Sequence, residues 1–335
     1  MNWGLIFSNG FYAAISANAV GYMLIASGLN VHFGNTGLLN FGQAGFAAVG
    51  AYGIAIPVSR YHWNPFLAMI VIIVTAAVLA VAVGLLTLRL RSDYLAIVTI
   101  AIAEIIRIFV NGDHFKWLTG GNDGLQGFTR WIERSSPFPS GGYKVWEQKI
   151  SGLQLWLGIL GWILLAIIAT ALYLLIKSPW GRVLKGIRED EDAVRSLGKN
   201  VFAFKMQSLV LGGVIGAIGG MWFVLDKQSA QPGDFATTLT FFAYTMIIIG
   251  GVAKVKGPIV GAMMFLFLFT WVDSFLREAT KTSAGSGPVL PKWLVTDNNY
   301  AQVKYMFAGL MLAFLVAFRP QGVFGDKKEQ AFDVR

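Results

Sequence analysis

The chain has no cysteine and only three histidines, His32, His62 and His114, in 335 residues. The first absence removes disulfides and thiolate chemistry, and the wide spacing of the histidines gives no metal-ligand pattern. Charge is scarce as well. Asp, Glu, Lys and Arg make up 13% of the residues, and none occurs between Met1 and Ser59. An amino terminus without a basic flank does not read as a cleaved signal peptide, so the first apolar segment is expected to be retained. No GxxxxGK[ST] stretch is present, so the chain is not read as its own ATPase. With no cluster of His, Asp and Cys inside the apolar segments, a membrane-embedded enzyme site with a bound cofactor or metal is not expected.

What the chain does have is apolar length. It is 55% hydrophobic with a mean hydropathy of +0.59, too apolar and charge-poor for an ordinary soluble domain. A bilayer core roughly 30 Å thick takes about 20 apolar residues per helical span. Runs of that order cover residues 11–29, 42–58, 66–88, 93–110, 153–176, 203–225, 239–253, 257–276 and 301–318. The fold class expected is therefore an all-α polytopic membrane protein, one domain over residues 1–335, with about nine spans, eight and ten remaining open. Continuous runs such as FLAMIVIIVTAAVLAVAVGLLTL exclude a barrel, whose strands alternate polar and apolar residues. The net charge of +9 lacks a basic stripe interleaved with aromatics, so it is assigned to loops beside anionic membrane lipid and not to nucleic acid.

Basic residues set the orientation. Residues 177–202 carry Lys177, Arg182, Lys185, Arg188, Arg195 and Lys199. The Arg89–Leu90–Arg91 turn, the Lys254–Val255–Lys256 turn and the tail from Arg319 to Lys328 are also basic. Span counting puts all of these on one side, expected to be cytoplasmic. The loops at 111–152, 226–238 and 277–300, with the amino terminus, then lie outside. The long 111–152 loop has turn signals at Gly120–Gly121, Pro137, Pro139 and Gly141–Gly142, and Trp117, Trp131 and Trp146 as interface residues. A docking surface and a plain lid both fit it.

Two segments are short and glycine-broken, one in each half: Asn35 to Gly53 and Leu239 to Ala262. Such pairs point to a buried pathway, because unwound backbone is tolerated at membrane depth only inside protein or along a cavity. Close helix packing through Gly42, Gly45 and Gly50 is the alternative. Asn40 and Gln43 favour the pathway, since polar side chains there need partners. Glu104 and Arg107, three apart in DYLAIVTIAIAEIIRIFV, share a helix face and suit either an ion pair or contact with solute. Asp273 and Arg277 read as an end pair.

The charged stretch GRVLKGIREDEDAVRSLGKNV, Gly181 to Val201, interrupts this apolar chain. Its acids come first, as suits a helix amino terminus, and Gly198 suits a stop. A helix from Arg188 to Leu197 would show Ala193, Val194 and Leu197 as a small apolar face. Such a helix lies on lipid or docks in a partner's groove, and the consecutive acids Glu189–Asp192 favour docking.

Taken in order, GLLNFGQAGFAAVGAY, LRLRSDYLAIVTIAIAEIIRI, LTGGNDGL, SPWGRVLKGIREDEDAVRSLG, IIIGGVAKVKGPIVGA and FRPQGVFG resemble the inner-membrane permeases of ATP-binding cassette importers for branched-chain amino acids, in particular the LivM-like kind. The resemblance implies a sister LivH-like permease subunit, two cytoplasmic ATP-binding subunits that hydrolyse ATP, and a periplasmic solute-binding protein, all at a bacterial inner membrane. It makes Gly181, Glu189, Asp190, Glu191, Ala193, Leu197 and Gly198 the coupling residues, with Asn40, Gln43, Glu104 and Arg107 as pathway candidates. Two departures are present. Asn122–Asp123 stands where the family's loop reads Pro-Asn, and FLFLF is rich in aromatics. The solute stays open, with urea or short amides as the alternative to amino acids. A stand-alone secondary carrier is the competing class.

Overall fold

The structure is a computed structural model that describes residues 3–90, 92–138, 141–145, 148–280, 300–318 and 322–324. Arg91, Pro139, Trp146, most of the 277–300 loop and most of the basic tail lie outside the described residues. The first helices are α1 (Trp3–Ile15), α2 (Ala17–Thr36), α3 (Gln43–Tyr61), α4 (Pro65–Thr87) and α5 (Ser92–Asn111). The 111–152 loop holds α6 (Lys116–Thr119), β1 (Leu125–Gln126), α7 (Arg130–Arg134), β2 (Gly142–Val145) and β3 (Gln148–Ser151). There follow α8 (Gly152–Lys177), α9 (Pro179–Glu189), α10 (Glu191–Ser196), α11 (Val201–Lys227), β4 (Ser229–Ala230), α12 (Thr237–Gly250), α13 (Lys256–Thr280) and α14 (Tyr300–Phe318).

Several helix starts are written into the sequence as caps. Asn64 accepts from the Phe66 N–H and is followed by Pro65 at the first helical position. Ser151 and Gln154 form a reciprocal capping box that starts α8. The all-α polytopic architecture holds, but the span count of nine is not established. Among the described residues α4, α8, α11 and α13 are long and apolar enough to cross a membrane. Two bent pairs raise that number from 4 to 6: α1 with α2, bent by 48°, and α5 with residues 113–119, bent by 56°. The expected span 11–29 merges the end of α1 with most of α2, because Ser16, which caps α2 at the Ala19 N–H, is too slight a signal inside an apolar run. α12, at 14 residues, is short for a span.

At the centre is α11, packed along α2, α3 and α4. Its glycines at 212, 216 and 220 recur every four residues and so share one face. A Cβ at Gly212 would stand 2.4 Å from the Gly28 carbonyl, and one at Gly220 would stand 2.0 Å from that of Ala47. Backbone therefore meets backbone, as small residues allow in bilayers. The unexpected aromatics of α13 fill space between helices: Phe267 meets Phe11 edge-on at 5.0 Å, and Phe265 and Phe269 pack on Phe242. Asp273 binds Arg277 at 2.9 Å and Lys304 of α14 at 3.0 Å, so the expected end pair also fastens α14 to α13.

The two ends of the bundle differ. At one, β1 pairs antiparallel with β4, joining the 111–152 loop to the turn after α11. There Asn9 binds Ser274 at 2.9 Å and accepts from Gln148, bringing α1 and the end of α13 to the same place. At the other, Arg188 donates to the Gly34 carbonyl at 2.6 Å, and Asn30 binds the Lys254 carbonyl at 3.1 Å. The Val323 N–H donates to the Ile249 carbonyl at 2.8 Å at that same end. The second glycine-broken segment divides differently from the sequence reading. Its turn, Gly251 to Val255, sits at this basic end with Gly251 and Ala253 buried, and the short turn Pro232–Phe235 that precedes α12 buries Pro232 and Phe235 while Gly233 is exposed.

Candidate coupling surface and pathway

The charged stretch folds as two helices, not one. After α8 the chain reverses at Ser178–Pro179, and Gly181 is required there because a Cβ would stand 2.1 Å from the Ile176 carbonyl. α9 buries Gly181, Leu184 and Ile187 and ends at Glu189. Asp190 is extended, at φ −154° and ψ 101°, and its carboxylate accepts from the Ala193 N–H at 2.9 Å. A helix running on from Arg188 is thus broken by the better amino-terminal cap. Gly198, at φ 76°, makes the left-handed turn expected after Leu197.

The expected apolar face is also divided. Val194 turns inward onto Leu184, Ile187 and Val201, while Ala193 is exposed and Leu197 is 78% exposed. The acids are used locally: Glu191 binds Arg195 at 2.9 Å and also Lys205 of α11, and Asp192 binds Arg195 at 3.1 Å. Glu189 remains exposed. Arg188 of α9, bound to the Gly34 carbonyl, lies against Gly37, where α2 ends.

From Gly37 to Gly42 the chain is not helical, yet it is largely buried. Unpaired backbone there would be costly, and side chains from other helices satisfy it. The Phe41 N–H donates to Thr99 of α5 at 3.0 Å, the Tyr244 hydroxyl of α12 donates to the Asn40 carbonyl at 3.0 Å, and the Ala44 N–H donates to Thr240 at 2.9 Å. Asn40 and Gln43 are both 0% exposed. Asn40 accepts from the Gly42 N–H at 2.8 Å, and Gln43 donates to the Ile25 carbonyl at 3.1 Å. Both lie beside His32 Nε2, at 3.4 and 3.2 Å. The two residues are thus brought together, as parts of a packed polar knot. His32, Thr99, Thr240 and Tyr244 belong to it and were not anticipated. Thr99 had a signal, since it lies four residues from Leu95 and from Ala103 on the buried face of α5.

Glu104 and Arg107 form an ion pair apart from this knot, with Arg107 Nε 3.0 Å from both carboxylate oxygens. Their side chains are 36% and 27% exposed, at the margin of an α5 face on which Ile97, Ile105 and Ile108 are also uncovered. If the pair is structural, each charge reversal alone abolishes transport and the double swap, Glu104→Arg with Arg107→Glu, restores it. A folded swap variant that stays inactive would assign one of the charges a direct contact.

Residues 11–316 match the family described as the permease component of the branched-chain amino acid transport system. The chain belongs to this permease family. It is 25% identical to the probable branched-chain amino acid transport permease protein LivM of Methanocaldococcus jannaschii, over 91% of each chain. It is 28% identical to the high-affinity branched-chain amino acid transport system permease protein LivM of Escherichia coli K12, over 90% of this chain and 67% of that one. A shorter match, 26% identical over 39% of this chain and 40% of the other, is to the autoinducer 2 import system permease protein LsrC of Photorhabdus laumondii. The chain is a transport permease subunit of the LivM kind. The Asn122–Asp123 departure in the 111–152 loop is accommodated locally: Asp123 pairs with Lys116 at 2.9 Å, and Gly120 and Gly124 take positive φ in the turn around it.

Proposed function

We propose that this permease subunit joins a sister LivH-like subunit to form the translocation pathway for branched-chain amino acids in a bacterial inner membrane. Two cytoplasmic ATP-binding subunits drive it, and a periplasmic solute-binding protein delivers the solute to the end formed by the 111–152 loop. The observation that carries this reading is the connection from α10 to the buried break. Ala193 and Leu197 face outward as a docking surface, α9 is rooted under them, and Arg188 grips the end of α2 just before Gly37–Gly42. A push on α9–α10 reaches the knot at Asn40 and Gln43 through one hydrogen bond. Alternating access requires contacts that differ between two states, and a change at this bond would supply one.

Gly181, Asp190 and Gly198 shape the coupling element, Leu197 and Ala193 contact the ATPase, Glu191 anchors α10 to α11, and Glu189 adds charge at the contact. Glu104 and Arg107 lie where the sister subunit covers α5. Purification in mild detergent should recover the four kinds of subunit together, with a branched-chain amino acid on the external one. Recovery of a lone permease that moves solute without ATP would favour a secondary carrier, and a complex whose external protein carries urea or a short amide would reassign the solute.

A further inference from the structure

A cavity of about 640 Å³ opens at the basic end beside α10. Arg89 from the α4–α5 turn, Arg195 and Lys199 from the α10 region and Lys205 from α11 line it, against one acid, Glu191. Glu191 is already shared by Arg195 and Lys205, while Arg89, among the described residues, makes a cation–π contact 5.9 Å from the Phe202 ring, and Lys199 lies exposed. The remaining acids of the stretch, Glu189, Asp190 and Asp192, do not line the cavity, and Asp192 is held by Arg195. Glu191 and Arg195 are four apart and share one side of α10, and Lys199 follows after the turn at Gly198. Ala193 lies two residues on from Glu191, about 200° around the helix, so the cavity side of α10 is not its docking side.

The position selects the ligand. α4 ends, α5 begins and α11 begins around this cavity, so it lies where the hydrocarbon of a bilayer meets water. Apart from Asn200 its remaining wall is apolar, with Leu88, Leu90, Val201 and Phe202, and the last turns of α4 beside it expose Leu85 and Leu86. A cationic recess with an apolar flank at that depth fits a phosphodiester headgroup whose acyl chains run down α4. We infer that this cavity binds the headgroup of an anionic phospholipid. The cavity shares Leu88, Leu90, Glu191 and Lys205 with a second one of about 240 Å³ that reaches Thr36 and Gly37. A phosphate that competes with Glu191 for Lys205 would therefore loosen α10 and bear on the end of α2, making lipid a regulator of the proposed coupling.

Native mass spectrometry of the full-length permease, purified with its subunits, tests this without reading ATP hydrolysis, so failure of the coupling reading leaves the result intact. In an equal mixture of phosphatidylglycerol and phosphatidylcholine, the protein is expected to retain phosphatidylglycerol selectively. Arg89→Ala with Lys199→Ala should weaken that retention about thirtyfold, and Arg89→Lys with Lys199→Arg should preserve it, which separates lost charge from lost folding. Equal retention of both lipids, or undiminished selectivity in the double alanine variant, overturns the proposal. Full displacement of the lipid by inorganic phosphate would show a site for free anions and overturn it too.

Discussion

The permease carrying Leu197→Asp is expected to insert and purify as the parent does and to lose solute-stimulated ATP hydrolysis in the reconstituted complex. The first half follows from exposure. Leu197 is 78% exposed and has no place in the small core of Leu184, Ile187, Val194 and Val201, so its replacement falls among surface changes within about 0.5 kcal/mol. The second half follows from docking. An apolar anchor seated in a partner's groove contributes about 2 kcal/mol or more, and a carboxylate placed there adds its own desolvation cost. That amounts to a loss of at least roughly thirtyfold in contact affinity. Val194→Asp is the internal contrast, because Val194 turns into the core, and that variant should lose α10 itself and purify poorly. Full stimulation of hydrolysis by the Leu197→Asp complex would end the coupling assignment.

This contrast also shows where the sequence was sufficient. Gly198 could be assigned from local chemistry, since a left-handed stop needs a particular residue, whereas Gly181 and Asp190 entered only through the family resemblance. The break at Asp190 was hidden because four acids in a row suit a helix start wherever the start falls. Which of Ala193, Val194 and Leu197 faces outward depends on Leu184 and Val201, which only the folded chain brings near. The long apolar runs of α4 and α8 were legible for the same local reason. Asn40 and Gln43 were legible as polar residues in need of partners, but the partners include His32 on α2 and, far off in sequence, the Gly212 carbonyl, which accepts from Gln43. The central place of α11 had a signal that hydropathy conceals. Its glycines look like any small residues in an apolar span until their spacing of four is read as a face.

That face yields the largest expected structural effect. Gly212→Ala places a methyl group 2.4 Å from both the Gly28 carbonyl oxygen and the His32 ring, where ordinary contact begins near 3.4 Å. One obstacle is the backbone of α2, so α2 and α11 must part by about 1 Å instead of a side chain turning aside. The cost exceeds the one to three kcal/mol or so usual for overpacking, because the separation runs through the polar knot as well. His32, whose ring the new methyl meets, stands 3.2 Å from Gln43 and 3.4 Å from Asn40, near the limit of a hydrogen bond, and the parting also stretches the bonds that join α11 to α2, from Ser208 to the Val31 carbonyl at 3.2 Å and to Thr36 at 2.7 Å. Gly158→Ala on α8 is the control, since a Cβ there meets nothing within 4 Å. In detergent, Gly212→Ala should give little monodisperse permease and a markedly lower melting temperature, whereas Gly158→Ala should match the parent or exceed it slightly, alanine being the better helix former. Equal melting temperatures for the two variants would mean that α2 and α11 do not meet at backbone distance. Arg188, at the end of α2, would then be gripping a helix with slack against α11, and the push proposed to travel from α10 to Asn40 would be absorbed before it arrived.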